Sequence, residues 1–170
     1  MGVSDVGRTV ALLVVLAINP SCDSNMPSGQ FDAEVTGASE AAFEGSTLCT
    51  TDTQTHSGFA RLALSMTDGE RNIGIDGLFE ADGPALGRYP IVEDALALEQ
   101  GEASAVYSEF LNPEFDIVRG FQADSGSLSI SRNSSGVIAG SFEFQASGSF
   151  GTIGSNRQVM VRGTFTSACE

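Results

Sequence analysis

The chain has 170 residues, 41% of them hydrophobic, which is enough apolar material for one buried core and too short for a second domain of ordinary size. Its 22 acidic residues face 8 basic ones, all arginine, and a formal net charge of −14 argues against nucleic acid as a partner, because nothing would neutralise the phosphates or release their counterions. The same acidity suits solubility in a salty medium, where screening weakens self-repulsion.

Residues 1–9, "MGVSDVGRT", carry one arginine, and residues 10–18, "VALLVVLAI", are unbroken apolar. Nine residues of helix rise only about 14 Å, whereas a bilayer core needs about 20 residues. That is the length of a signal-peptide core; Pro20 then stops the helix and Ser21 supplies a small residue before a cleavage site. Residues 1–21 are therefore expected to be a signal peptide, the alternative being a buried first element of the domain. Cys22 follows at once. Signal core, small residue and cysteine together resemble a bacterial lipoprotein signal, although Asn19 stands where that pattern usually has leucine. The resemblance implies cleavage before Cys22, a lipid on its thiol and amino terminus, and anchorage to a cell-envelope membrane; plain secretion is the alternative. Residues 22–30, "CDSNMPSGQ", are polar and rich in turn formers, as a flexible tether would be.

Three cysteines leave an odd thiol in an exported chain. If Cys22 takes the lipid, Cys49 and Cys169 remain as a pair in an oxidising compartment, closing a loop of about 120 residues. Two unpaired buried thiols are the other possibility.

From residue 31 to 170 the apolar period is two, and the expected fold is one all-β domain, an antiparallel sandwich or barrel of about eight to ten strands. Phe31, Ala33 and Val35 alternate with Asp32 and Glu34; Leu62, Leu64 and Met66 share a face; so do Leu128 and Ile130. Turn signals fall at "TDGERN" (67–72), "EADGPALG" (80–87), "NSSG" (133–136) and "SGSFGTIGSN" (147–156). Only "VEDALALEQGE" (92–102), rich in Ala, Leu and Glu, suggests a short helix or lid near 93–100.

The last two strands carry the clearest pattern. Residues 136–147 put Ile138, Gly140, Phe142, Phe144 and Ala146 on one face, and residues 158–169 put Val159, Val161, Gly163 and Phe165 on one face. Matching apolar faces predicts the pairs 138 with 165, 140 with 163, 142 with 161 and 144 with 159. Gly140 would then face Gly163 on the core side, either bending the sheet or leaving room for a ring or ligand. "GSLSISRNSSGVIAGSFEFQA", "VMVRGTFTSAC" and "GRYPIV" (87–92) resemble motifs of an uncharacterised domain found in exported bacterial lipoproteins. The resemblance covers about the last half of the chain and implies an all-β exported domain without a transferable active site.

Catalytic signatures are absent: there is no G-x-S-x-G, phosphate loop or H-E-x-x-H, no zinc-spaced Cys/His cluster, and no lysine for Schiff-base chemistry. His56, the single histidine, sits in the polar stretch "TDTQTHSG" and reads as a solvated loop residue. Asp68, Glu70, Asp76, Glu80 and Asp82 are dense enough to attract Ca²⁺, but without EF-hand spacing they read as a solvated acidic face. Asn133 opens an N-S-S sequon, and "FLNPEF" (110–115) could be a contact loop or close a barrel end. No catalytic residue, metal or cofactor is expected. The leading expectation is a cell-envelope lipoprotein whose β domain binds a small apolar ligand or an envelope protein partner. The alternatives are an acidic structural or surface-coat protein with a closed core, and, more remotely, a hydrolase using paired carboxylates.

Overall fold

The structure, a computed structural model, describes residues 29–52, 58–112, 116–151 and 157–169. Cys22 and His56 lie outside these residues, as do residues 1–21 and residues 22–28 of the expected tether. Gln30, expected in the tether, is already strand: it opens β1 and pairs with Ser46 on one side and Thr166 on the other.

The described residues form nine strands and no helix: β1 (Gln30–Gly37), β2 (Ala41–Asp52), β3 (Phe59–Thr67), β4 (Arg71–Glu80), β5 (Gly87–Val92), β6 (Glu102–Asn112), β7 (Asp116–Ser134), β8 (Val137–Gly151) and β9 (Gln158–Ala168). They close into a barrel in the order β1-β2-β3-β4-β6-β5-β7-β8-β9, with β9 returning to β1. Closure follows from the alternation. Every strand buries one face, and a ring lets all of those faces share one interior without leaving an unpaired edge. Inward positions include Phe31, Ala33, Val35, Leu62, Leu64, Met66, Ile73, Ile75, Leu128, Ile138, Phe144, Val159, Val161 and Phe165, each at most 3% exposed. Outward positions carry Asp32, Glu44, Asp76, Glu143 and Arg162, the reverse of a membrane-spanning barrel, whose outer band is apolar.

The wall is not uniform along its axis. β7, 19 residues long, pairs with β6 from Val106↔Gln122 to Asn112↔Asp116 and with β5 from Gly87↔Ile130 to Val92↔Ser125. β5 touches β6 in parallel only at Ile91↔Ala103, so it wedges between β6 and β7 in one half of the barrel. The wall therefore has eight strands at one end. Pro90 is tolerated because β5 is bonded on one side over most of its length. Residues 93–101, expected to hold a short helix, are turns and bends instead, with Leu96 99% exposed. Their Ala and Leu content favours helix, but between β5 and β6 the segment has no surface against which to bury an apolar face.

Strand directions separate the two ends. The β1–β2 turn (38–40) and β3–β4 turn (68–70) lie at one, the strap end. Gly29, the 81–86 connection, the Ser135-Gly136 turn and Cys169 lie at the other, where β1 stops before its neighbours and β2 meets β9 directly. There Thr47 Oγ1 donates to Ser167 Oγ at 2.7 Å, Gly29 bridges Thr47 N and Thr166 O through its own backbone, and the Cys49–Cys169 disulfide closes the seam with 4.5 Å between Cα atoms. Cys49 is fully buried.

The β8–β9 hairpin keeps the expected faces but not the expected register. The pairs are Ile138↔Ser167, Gly140↔Phe165, Phe142↔Gly163, Phe144↔Val161 and Ala146↔Val159, a slide of two residues from the predicted set. Gly140 does not face Gly163; each glycine faces a phenylalanine. Alternation cannot tell registers that differ by two, because both bury the same residues. Volume decides here. A β-carbon at Gly140 would run into the Ser129 carbonyl oxygen and lie 3.2 Å from the Phe165 ring, and one at Gly163 would lie 2.7 Å from Phe142 Cζ. The rings fill the space the glycines leave. The turn expected from residue 147 also comes later, since β8 stays paired with β7 as far as Gly151↔Arg119.

Candidate functional site

Parity along β4, β6 and β7 turns Arg71, Glu109 and Arg119 into the barrel at the strap end, in line with the buried Ile73, Tyr107 and Phe121, each two residues deeper in the barrel. Their Cα positions are consecutive partners across the ladders, Arg71↔Glu109 and Glu109↔Arg119. Glu109 is 9% exposed and is the only charged side chain so deeply buried among the described residues. A carboxylate there must keep its hydrogen bonds. Tyr107 OH donates to Oε1 at 2.8 Å, Ser39 Oγ donates to the same oxygen, and Arg119 Nη1 approaches Oε2 at 3.5 Å.

Ser39 arrives from far away. It belongs to the turn between β1 and β2, and at this end β1 lies four strands round the ring from β6 in either direction. For Ser39 to reach Glu109 the turn has to lie across the barrel end. It is a strap, anchored where Ala38 N donates to Gln158 O at 2.9 Å and entered through Gly37 at φ 109°, a conformation open to glycine.

Beneath the polar layer lies an aromatic floor. Tyr107 stacks on Phe121 with centroids 5.8 Å apart and meets Phe43 at 6.2 Å, while Phe43 packs edge-on against Phe31 at 5.5 Å. Arg71 lies 5.5 Å from the Phe43 centroid, a cation–π contact, and its guanidinium pairs with Asp68 at 2.9 Å. Burial first, then the hydrogen bond to Glu109 and its charge, push the Tyr107 phenol far above its ordinary value of 10.0 and keep it a neutral donor. Desolvation alone would lower the Arg71 guanidinium, but its hydrogen bond to Asp68 and the charges of Asp68, Tyr107 and Glu70 together raise it above its ordinary value.

The residues singled out in the sequence lie elsewhere. Gly140 and Gly163 are inward wall positions of the β8–β9 hairpin, and Cys49 and Cys169 lock the opposite end. Within the acidic set, Asp68 caps the β3–β4 turn by accepting from Glu70 N and Arg71 N, and Asp76 pairs with Arg61 across the outer face at 3.1 Å. No group of three or more metal-ligating side chains forms among the described residues. Asn133 of the sequon donates its amide to Pro84 O at 2.8 Å and so holds the β4–β5 connection. Asp32 and Glu44 do oppose each other across β1 and β2, beside a groove of about 490 Å³, but on the outer face. Residues 113–115 of the expected contact loop lie outside the described residues.

Sequence reasoning passed over Glu109, Tyr107 and Ser39. The signal was present in "ASAVYSEF", where Ala103, Ala105, Tyr107 and Glu109 share a parity that ends in a carboxylate. Comparison with protein-family models, curated proteins and solved structures finds no match for this chain.

Proposed function

We propose that this chain is a bacterial cell-envelope lipoprotein, anchored through Cys22, whose barrel binds a ligand at its strap end and does not transform it. The envelope half of the proposal rests on the signal-like residues 1–21 and on Cys22. The binding half rests on one observation: a buried carboxylate, Glu109, gathers donors from three parts of the chain beneath a turn that crosses the barrel end. The polarity of the chain fits. Gly29, seven residues after Cys22 in the sequence, lies at the disulfide end, opposite the strap end. Intact mass of the exported protein with and without reductant tests the anchor: lipid mass with a new amino terminus at Cys22 is expected, and an unmodified chain refutes it. Amide NMR titrations with fatty acids, small anions and neutral polyols test binding: saturable shifts confined to 38–40, 71, 107–109 and 119 are expected, and none with any compound refutes it. A second reading, an acidic structural protein with a closed core, is favoured by the phenylalanine rings that fill the space beside Gly140 and Gly163, and it predicts that no compound binds.

A further inference from the structure

β5 and β6 run parallel and pair only at Ile91↔Ala103, so the nine residues between Val92 and Glu102 leave the wall and return beside the point where they left it, as an Ω-type loop. Ile91 also pairs with Gly126, near the middle of β7, which sets the loop on the side of the barrel, away from both ends. Its own bonds hold it in shape. Leu96 N donates to Asp94 Oδ1 at 2.9 Å, Glu99 N donates to Glu102 Oε2 at 2.9 Å, and Gly101, at φ 83°, donates its N–H to Leu78 O at 2.7 Å. Yet this shaped loop carries four consecutive apolar residues, 95–98, of which Ala95, Leu96 and Ala97 are exposed, Leu96 at 99%. An exposed apolar run of that length adds nothing to the core and works against solubility, which marks a contact surface.

We infer that residues 93–101 form a docking knob, with Leu96 at its tip, for a protein partner that offers an apolar pocket with a basic rim. Charge sets the rim: Glu93, Asp94 and Glu99 are exposed on either side of the apolar run, and no basic residue lies between Arg88 and Arg119 in the sequence. The same acids disfavour other occupants. A second copy of this chain carries a net charge of −14, and its outer groove beside β1 and β2 is lined by Asp32 and Glu44. An anionic bilayer surface repels the loop as well. Burying Leu96 in such a pocket raises affinity by about ten- to a hundredfold. The knob lies outside the strap-end layer, so the two sites stand or fall separately.

The test expresses the full chain in its native cells with a photo-crosslinking amino acid at Ala97 or, as a control, at the exposed Thr50 of β2. A protein adduct formed from position 97 and not from position 50, and lost when Leu96→Ser is added, is expected. The captured protein, once purified, should bind the full chain carrying Cys22→Ser. Leu96→Ser should weaken that binding about tenfold or more, Glu93→Gln with Glu99→Gln should weaken it several-fold, and rising salt should weaken it too. Leu96→Ser should leave Tm unchanged within about 2 °C, because a side chain exposed at 99% supports no packing. A larger fall would make Leu96 part of the fold and overturn the knob, as would the absence of any Leu96-dependent adduct or a purified pair indifferent to Leu96. Binding that depends on Leu96 but not on salt or the two glutamates would overturn the basic rim. Adducts with lipid alone, joined by Leu96-dependent binding to phosphatidylglycerol vesicles, or adducts between two copies of the chain, would overturn the protein partner in favour of a bilayer or of self-association.

Discussion

Replacing both Cys49 and Cys169 with alanine should cost more stability than any other change of similar size in this barrel. The bridge spans 120 residues of sequence, so it removes loop-closure entropy worth about 5 kcal/mol at 25 °C from the unfolded chain. With an unfolding entropy of about 2.1 cal/mol/K per residue over roughly 140 ordered residues, that translates into a Tm lower by roughly 16 °C. The loss has a location as well as a size. Among the described residues no strand lies between β2 and β9 beyond Gln30, and the seam is held by the disulfide, the Thr47–Ser167 hydrogen bond and the backbone of Gly29. Calorimetry of the oxidised protein against Cys49→Ala/Cys169→Ala gives the magnitude, and hydrogen exchange gives the place. Exchange should accelerate most at residues 47–52 and 166–169. A Tm drop below about 5 °C, or uniform acceleration round the ring, would refute the view that the bridge both closes a long loop and locks the seam.

Gly140→Ala and Gly163→Ala should each destabilise by roughly 1 to 3 kcal/mol or more in urea titrations, because the new methyl group meets backbone carbonyl oxygens, Ser129 and Asp32, that a rotamer change cannot move. Glu109→Ala should cost more than Glu109→Gln, by about 1 to 3 kcal/mol, since only the alanine leaves Tyr107 and Ser39 without an acceptor. Ser135 sits at φ 54° beside Gly136 at φ 73° in the two-residue turn between β7 and β8, so Ser135→Asn should stabilise by about 0.5 to 1 kcal/mol in the same assay. Burial raises both phenols, Tyr107 and Tyr89, above 10.0. Each stabilises fully below its unfolded value, and the contribution declines as pH rises above about 10. Absorbance of phenolate at pH 10.5 should therefore be clearly lower in the folded protein than in denaturant, and equal absorbance would contradict it.

How far the sequence reached depended on whether the information was local. Alternation is local. A period of two in "FDAEV", "ARLALSM" and "GSFEFQA" depends only on which side of a pleat each residue faces, and it named the buried faces of β1, β3 and β8 and, with the turn signals, an all-β fold. The cysteine count, read together with the signal-like start, likewise pointed to the pairing of Cys49 with Cys169. What alternation left open was decided in three dimensions. A slide of two residues keeps every face, so the β8–β9 register waited on Gly140 and Gly163 meeting Phe165 and Phe142 across the ladder. Helix propensity in residues 93–101 gave way for lack of an apolar surface to pack on. The site was the least legible part, because Ser39, Arg71, Glu109 and Arg119 come from four segments, and only a closed ring lays a turn beside β1 over a carboxylate on the opposite wall.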